Sequence, residues 1–126
     1  MKKQLILFDF DDTVVKSSDN IEIIQEVLDD LIQYMRYPAN DVYILTARYH
    51  RVPVVQFFSN IGIDDIDVVA VGELSPLAKS GFVMNKLSQK KYDAVRIYED
   101  KEENISAVAQ VVKSLGVDFS YMLVTK

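Results

Sequence analysis

The sequence predicts an α/β fold: a doubly wound, mainly parallel five-stranded sheet with helices on both faces. Three observations predict it. Short, continuously apolar runs recur along the chain, as in strands buried on both sides. Stretches with apolar residues at helical spacing separate them. The two kinds of segment alternate throughout, which calls for crossover helices and therefore parallel strands. A length of 126 residues fits one domain over 1–126.

The elements follow in order. Leu5 to Phe8 is the first apolar run and the first strand. Ile21, Ile24, Leu28, Leu31 and Met35 recur at helical spacing, with Val27 beside them. Ser18 or Asp19 offers a cap for that helix, and Pro38 lies beyond its end. Val42 to Leu45 is the second strand. Pro53 suits the first turn of a second helix reaching about Asn60, and Gly62 suits its end. Asp67 to Val71 is a third strand. A helix from about Lys79 to Lys90 turns Phe82, Val83 and Leu87 inward. Ala94 to Tyr98 is the fourth strand. Ile105, Val108, Ala109, Val112 and Leu115 mark the last helix, with Gly116 as its stop, and Phe119 to Val124 is the fifth strand.

Composition removes several function classes. There is no cysteine, so disulfides, thiolate metal sites and cysteine nucleophiles are excluded, and a reducing, cytoplasmic setting is expected. The single histidine, His50, leaves no His-rich metal site and little support for a Ser-His triad. A net charge of −5 argues against a broad nucleic-acid-binding surface, while one nucleic-acid end remains a possible ligand. No apolar run approaches the roughly 20 residues of a membrane span. Met1-Lys2-Lys3-Gln4 leads straight into the first strand without a small-residue cleavage site. No glycine-rich phosphate loop is present, which counts against an NTPase or a dehydrogenase.

Fold logic then locates the chemistry. In open α/β sheets ligands bind outside the carboxyl ends of the strands. Asp9 and Asp11 follow the first strand, Thr46 the second, and Glu99 and Asp100 the fourth. Lys79 opens the helix after the third, with Lys86 as a second candidate on the same helix. So many carboxylates on one rim repel unless a cation is present. An oxygen-rich site without histidine or cysteine suits a hard ion, and Mg²⁺ is the expected one. With Lys79 and the Thr46 hydroxyl, the set fits a phosphorylated ligand and phosphoryl transfer. Asp12 reads as a turn residue, and Arg48, His50 and Arg51 as a solvated loop or a ligand rim.

Leu5-Ile6-Leu7-Phe8-Asp9-Phe10-Asp11-Asp12-Thr13 resembles the first motif of the haloacid dehalogenase superfamily, an aspartate-x-aspartate-x-threonine after an apolar strand. Ile44-Leu45-Thr46-Ala47-Arg48 resembles the second motif, Lys79 the third, and Ile97-Tyr98-Glu99-Asp100-Lys101-Glu102-Glu103-Asn104-Ile105 the fourth. Glutamate at position 99 departs from the usual aspartate. The resemblance implies a Mg²⁺-dependent phosphatase working through an aspartyl-phosphate. Asp9 would be the nucleophile and Asp11 the acid and base. Thr46 and Lys79, with Ala47 and Arg48, would hold the phosphoryl group. Asp9, the Asp11 backbone carbonyl, and Asp100 or Glu99 would supply the metal site, with Asp100 favoured over Glu99 as the direct ligand.

Thirty-seven positions separate Asp9 from Thr46, and 33 separate Thr46 from Lys79. Neither interval holds a cap domain, so the resemblance is to a capless, open-sited member. Its second and fourth motifs are similar to those of small members associated with nucleic-acid end repair or found in phages. The substrate would be a phosphomonoester, on a nucleotide, a nucleic-acid end or another molecule. Two other readings stand beside this one. One is a catalytically weak phosphate-binding or scaffold protein on the same fold. The other is a receiver-like phosphoacceptor module, disfavoured because the third strand ends Val69-Ala70-Val71-Gly72 without an acid.

Overall fold

The computed structural model describes residues 2–17 and 20–125. Five parallel strands form the sheet, in the order β5-β4-β1-β6-β7: β1 (Gln4–Phe8), β4 (Asp41–Thr46), β5 (Asp67–Ala70), β6 (Ala94–Glu99) and β7 (Asp118–Leu123). The helices are α1 (Gln25–Met35), α2 (Val52–Asn60), α3 (Pro76–Gln89) and α4 (Glu102–Ser114). This is the doubly wound architecture the alternating pattern predicts.

Strand β1 shows why the fold assembles. Its side chains alternate between the two faces. Ile6 and Phe8 enter one core with Val27, Leu28 and Leu31 of α1 and Val54 and Phe58 of α2. Leu5 and Leu7 enter the other with Val83 of α3 and Ile105, Val108 and Val112 of α4. A strand walled on both sides must be apolar at every position, and Leu5 to Phe8 are all 0% exposed. Each such side chain contributes about 1.5–3 kcal/mol through burial. Phe8 also stacks on Tyr98 with ring centroids 4.3 Å apart. The Tyr98 hydroxyl donates to Asp30 on α1.

Three details differ from the sequence-based expectation. The segment before α1 is a two-stranded antiparallel hairpin, β2 (Val15–Ser17) with β3 (Ile21–Ile23). Ile21 therefore belongs to a strand and is exposed, and the helix starts only at Gln25. Ser18 and Asp19, the expected caps, lie outside the described residues; Ile24 occupies the cap position. Second, α3 begins at Pro76, capped by the Ser75 hydroxyl accepting from the Leu77 N–H, so Lys79 sits one turn into the helix. Third, Leu115 lies just past α4 and is exposed, not part of its apolar stripe. Among the described residues, no helix is long and apolar enough to cross a membrane.

The chain leaves β1 toward β4 and β5, then crosses back to β6 and β7. The reversal places a crevice at the carboxyl ends of β1 and β6, where such sheets bind ligands.

Candidate functional site

Asp9 is the first residue beyond β1, and its N–H donates to the Tyr98 carbonyl of β6. The backbone then turns sharply. Thr13 and Val14 both donate to the Phe10 carbonyl, and Asp12 takes a left-handed conformation with φ of 61°. That turn brings the buried Thr13 hydroxyl back onto Asp9 Oδ2 at 3.0 Å. Asp12 is a turn residue, as its sequence context suggests, and it also lines the cavity described below.

Lys79 reaches down from α3 between two carboxylates. Its Nζ donates to Asp9 Oδ1 at 2.9 Å and to Glu99 Oε1 at 2.8 Å. All three groups are buried: Asp9 is 8% exposed, Lys79 3% and Glu99 0%. Glu99 ends β6 and is saturated with donors. Oε1 also accepts from Asn104 Nδ2 at 3.0 Å, and Oε2 accepts the N–H groups of Asp100 and Lys101 at 2.9 and 3.2 Å. Glu99 therefore fixes its neighbours and has little acceptor capacity left for an ion. Asp100, half-buried beside it, is the more available carboxylate. Lys86 lies elsewhere, over the Tyr43 ring at 4.8 Å.

The charges do not balance. Asp9, Glu99 and Asp100 each bring an oxygen within 4.8 Å of the others, and Lys79 is the cation among them. Burial raises the Asp9 carboxyl well above the ordinary carboxylate range, against the pull of Lys79, and the Glu99 charge adds to the rise. Burial, helped by Glu99, also raises Asp100. Burial opposes ionisation of Glu99 too, but Lys79 outweighs it and holds that carboxyl below its usual value. For Lys79, burial is outweighed by Asp9 and Glu99, so its ammonium is held above the usual value. Lys79 thus favours the ionised form of Glu99, while burial disfavours ionisation of Asp9 and Asp100.

A second observation points the same way. Asn104, on the first turn of α4 and 5% exposed, leaves its Oδ1 without a partner. Among the described residues it is the one buried side-chain oxygen or nitrogen so left. A buried acceptor of this kind costs free energy unless an ion, a water or a ligand donor meets it. Asp9, Asp11, Lys79, Asp100 and Asn104 line one cavity of about 110 Å³, together with Ala47, Leu74 and Ser75. The donor set is entirely oxygen, which fits Mg²⁺.

Other expected residues are placed differently. The Asp11 carboxylate lies outside the three-carboxylate cluster and is gripped by Arg48, whose Nε and Nη2 donate to its two oxygens at 2.8 and 2.7 Å. That bond, together with one from the Ser17 hydroxyl, outweighs burial and holds the Asp11 carboxyl below its usual value. The Arg48 guanidinium lies 5.2 Å from the centre of the Phe10 ring. Thr46 is fully buried, and its hydroxyl accepts the Arg48 N–H at 3.3 Å, so it shapes the rim loop. Arg51 donates to the Val68 carbonyl, and His50 is exposed. Asn104 is the site residue that sequence reasoning passed over. Its signal was a helix-disfavouring amide in the first turn of a helix that starts beside two acids.

No family model matches the chain, and no curated protein does. Among solved structures, it is similar to the UDP-GlcNAc 2-epimerase from Methanocaldococcus jannaschii, with 14% identity and a TM-score of 0.62 over 95% of this chain and 31% of that one. It is also similar to the Neisseria meningitidis UDP-GlcNAc 2-epimerase bound to UDP-GlcNAc, with 11% identity and a TM-score of 0.63 over 95% and 31%. The chain thus spans about a third of the length of the epimerases it matches. At these identities the likeness concerns the fold. These neighbours are epimerases, not phosphatases of the haloacid dehalogenase superfamily. They overturn the assignment to that superfamily, and with it the capless phosphatase, its hydrolase activity and its aspartyl-phosphate route. The physical reason is that an apolar strand ending in acids is common to many doubly wound sheets, whose function lives in the site and not in the fold.

Proposed function

We propose that this chain binds a phosphorylated ligand at the carboxyl edge of its sheet, with Mg²⁺ as the bridging cation. The observation that carries this reading is the gathering of three carboxyl groups, Asp9, Glu99 and Asp100, with Lys79 bonded to two of them, beside the partnerless Asn104 Oδ1. Asp9 and Asp100 would hold the ion, and Asn104 would accept from its water shell. Glu99 and Lys79 orient Asp9. When bound, the cation supplies positive charge that lets an anion approach a carboxylate-lined cavity. The sugar nucleotide in the Neisseria epimerase is one member of the ligand class supported here.

Calorimetric titration with Mg²⁺, and then with inorganic phosphate in the presence of Mg²⁺ or of chelator, tests it. The wild type takes up the ion, and phosphate binds only when it is present. Asn104→Ala weakens Mg²⁺ about tenfold or more, as loss of an outer-sphere partner does. Asp100→Asn weakens it further while the fold is kept. A wild type that takes up no Mg²⁺ sinks the reading.

A further inference from the structure

The loops that carry Ala47, Glu73 and Leu74 into the cavity lining also carry an aromatic ring that the charge chemistry does not use, Tyr49. Beyond β4 and β5 the chain stays paired: the Val71 N–H donates to the Thr46 carbonyl at 2.9 Å, and the Gly72 N–H to the Arg48 carbonyl at 3.1 Å. Two rim loops are thereby tied together. Gly72 has φ of 75°, a conformation that favours glycine, and a Cβ there would come within 3.4 Å of the Tyr49 ring. Tyr49 is therefore seated on Gly72 with its ring otherwise open, 82% exposed. Its neighbours along the two loops, Ala47, Glu73 and Leu74, line the cavity, and Leu74 is 74% exposed.

Tyr49 and Leu74 leave apolar surface exposed next to residues that line the charged cavity. The protein gives them no cover. A phosphorylated ligand held at Asp9 and Lys79 would share its cavity with Ala47, Glu73 and Leu74, the loop neighbours of Tyr49 and Gly72. From this juxtaposition we infer that Tyr49, with Leu74 beside it, stacks the base of a nucleotide whose phosphate occupies the cavity. The inference rests on the phosphate site proposed above and narrows its ligand class from phosphorylated molecules to nucleotides. A planar base offers Tyr49 a face, whereas a bare sugar phosphate offers none. Stacking on an aromatic side chain tolerates any base, so the surface selects for the presence of a base and not for its identity.

The test is calorimetric titration, with Mg²⁺ present, of adenosine 5′-monophosphate and ribose 5-phosphate, which differ by the base alone. Wild type, Tyr49→Ala and Tyr49→Phe are compared. The wild type binds the nucleotide about tenfold to a hundredfold more tightly. Tyr49→Ala brings the nucleotide down to the ribose 5-phosphate level and leaves ribose 5-phosphate unchanged, while Tyr49→Phe keeps the preference. Equal affinities in the wild type overturn the stacking surface and leave the phosphate site standing. A preference that survives Tyr49→Ala overturns the role of Tyr49. A wild type that binds neither ligand overturns the phosphate site and this inference together.

Discussion

Each end of the sheet carries a lysine paired with a carboxylate, and the two are built oppositely. At the carboxyl edge Lys79 is buried between Asp9 and Glu99. At the other edge Lys90 pairs with Asp41 at 2.7 Å in the open, and the Tyr92 hydroxyl donates to the same carboxylate. The groove near Lys90 is the larger, about 650 Å³ against about 110 Å³. Size is therefore a poor guide to the site here. Water can replace any partner at the open edge, whereas at the buried edge each partner must be supplied by the protein or by a ligand. Only the buried edge keeps an unmet electrostatic demand, and that demand is what a ligand can satisfy.

The sharpest way to break this contrast is to remove each lysine. Lys79→Met leaves Asp9 and Glu99 facing each other in the interior. Breaking a buried pair in this way costs about 3–5 kcal/mol, read in urea unfolding. Lys90→Met shifts the same curve little. Comparable losses from both variants would show that burial does not separate the two ends.

The second difference is in pH. Burial raises the carboxyl groups of Asp9 and Asp100, so an ion taken up there would compete with their protons. Apparent Mg²⁺ affinity, measured by titration, therefore rises with pH through those raised values and weakens on acidification. A pH-independent affinity would contradict that competition.

The smallest effect lies at the open edge. Burial opposes the Asp41 charge, but Lys90 and Tyr92 outweigh it and lower its carboxyl. The native state then binds fewer protons there than the unfolded chain. The stabilisation is present above the ordinary carboxyl value and fades as pH falls through the lowered one. Solvent screening limits it to at most about 1 kcal/mol. Asp41→Asn should flatten the acid limb of the stability profile by that amount, as followed by thermal melting.

The contrast also explains what the sequence revealed. Leu5 to Phe8 was legible because a strand walled on both faces has no polar option. The placement of Asp9, Glu99 and Asp100 followed from strand ends, and that of Lys79 from the start of the helix after β5, since the crossover rule fixes which edge they reach. The β2–β3 hairpin was hidden because Ile21, Ile24 and Leu28 satisfy helical spacing, while Ile21-Glu22-Ile23 also alternates as a strand does. The grip of Arg48 on Asp11 was invisible because the two residues lie 37 positions apart and meet only through the geometry of a loop. The superfamily resemblance failed for a related reason. Its motifs report where the acids sit, and the same placement serves more than one chemistry.

The Arg48–Asp11 clasp has a further consequence. An arriving anion finds Arg48 already held through two parallel bonds and backed by Phe10. It can recruit that guanidinium only by outbidding a carboxylate. Freeing Arg48 therefore means breaking both bonds at once, and it leaves the Asp11 carboxylate without its guanidinium.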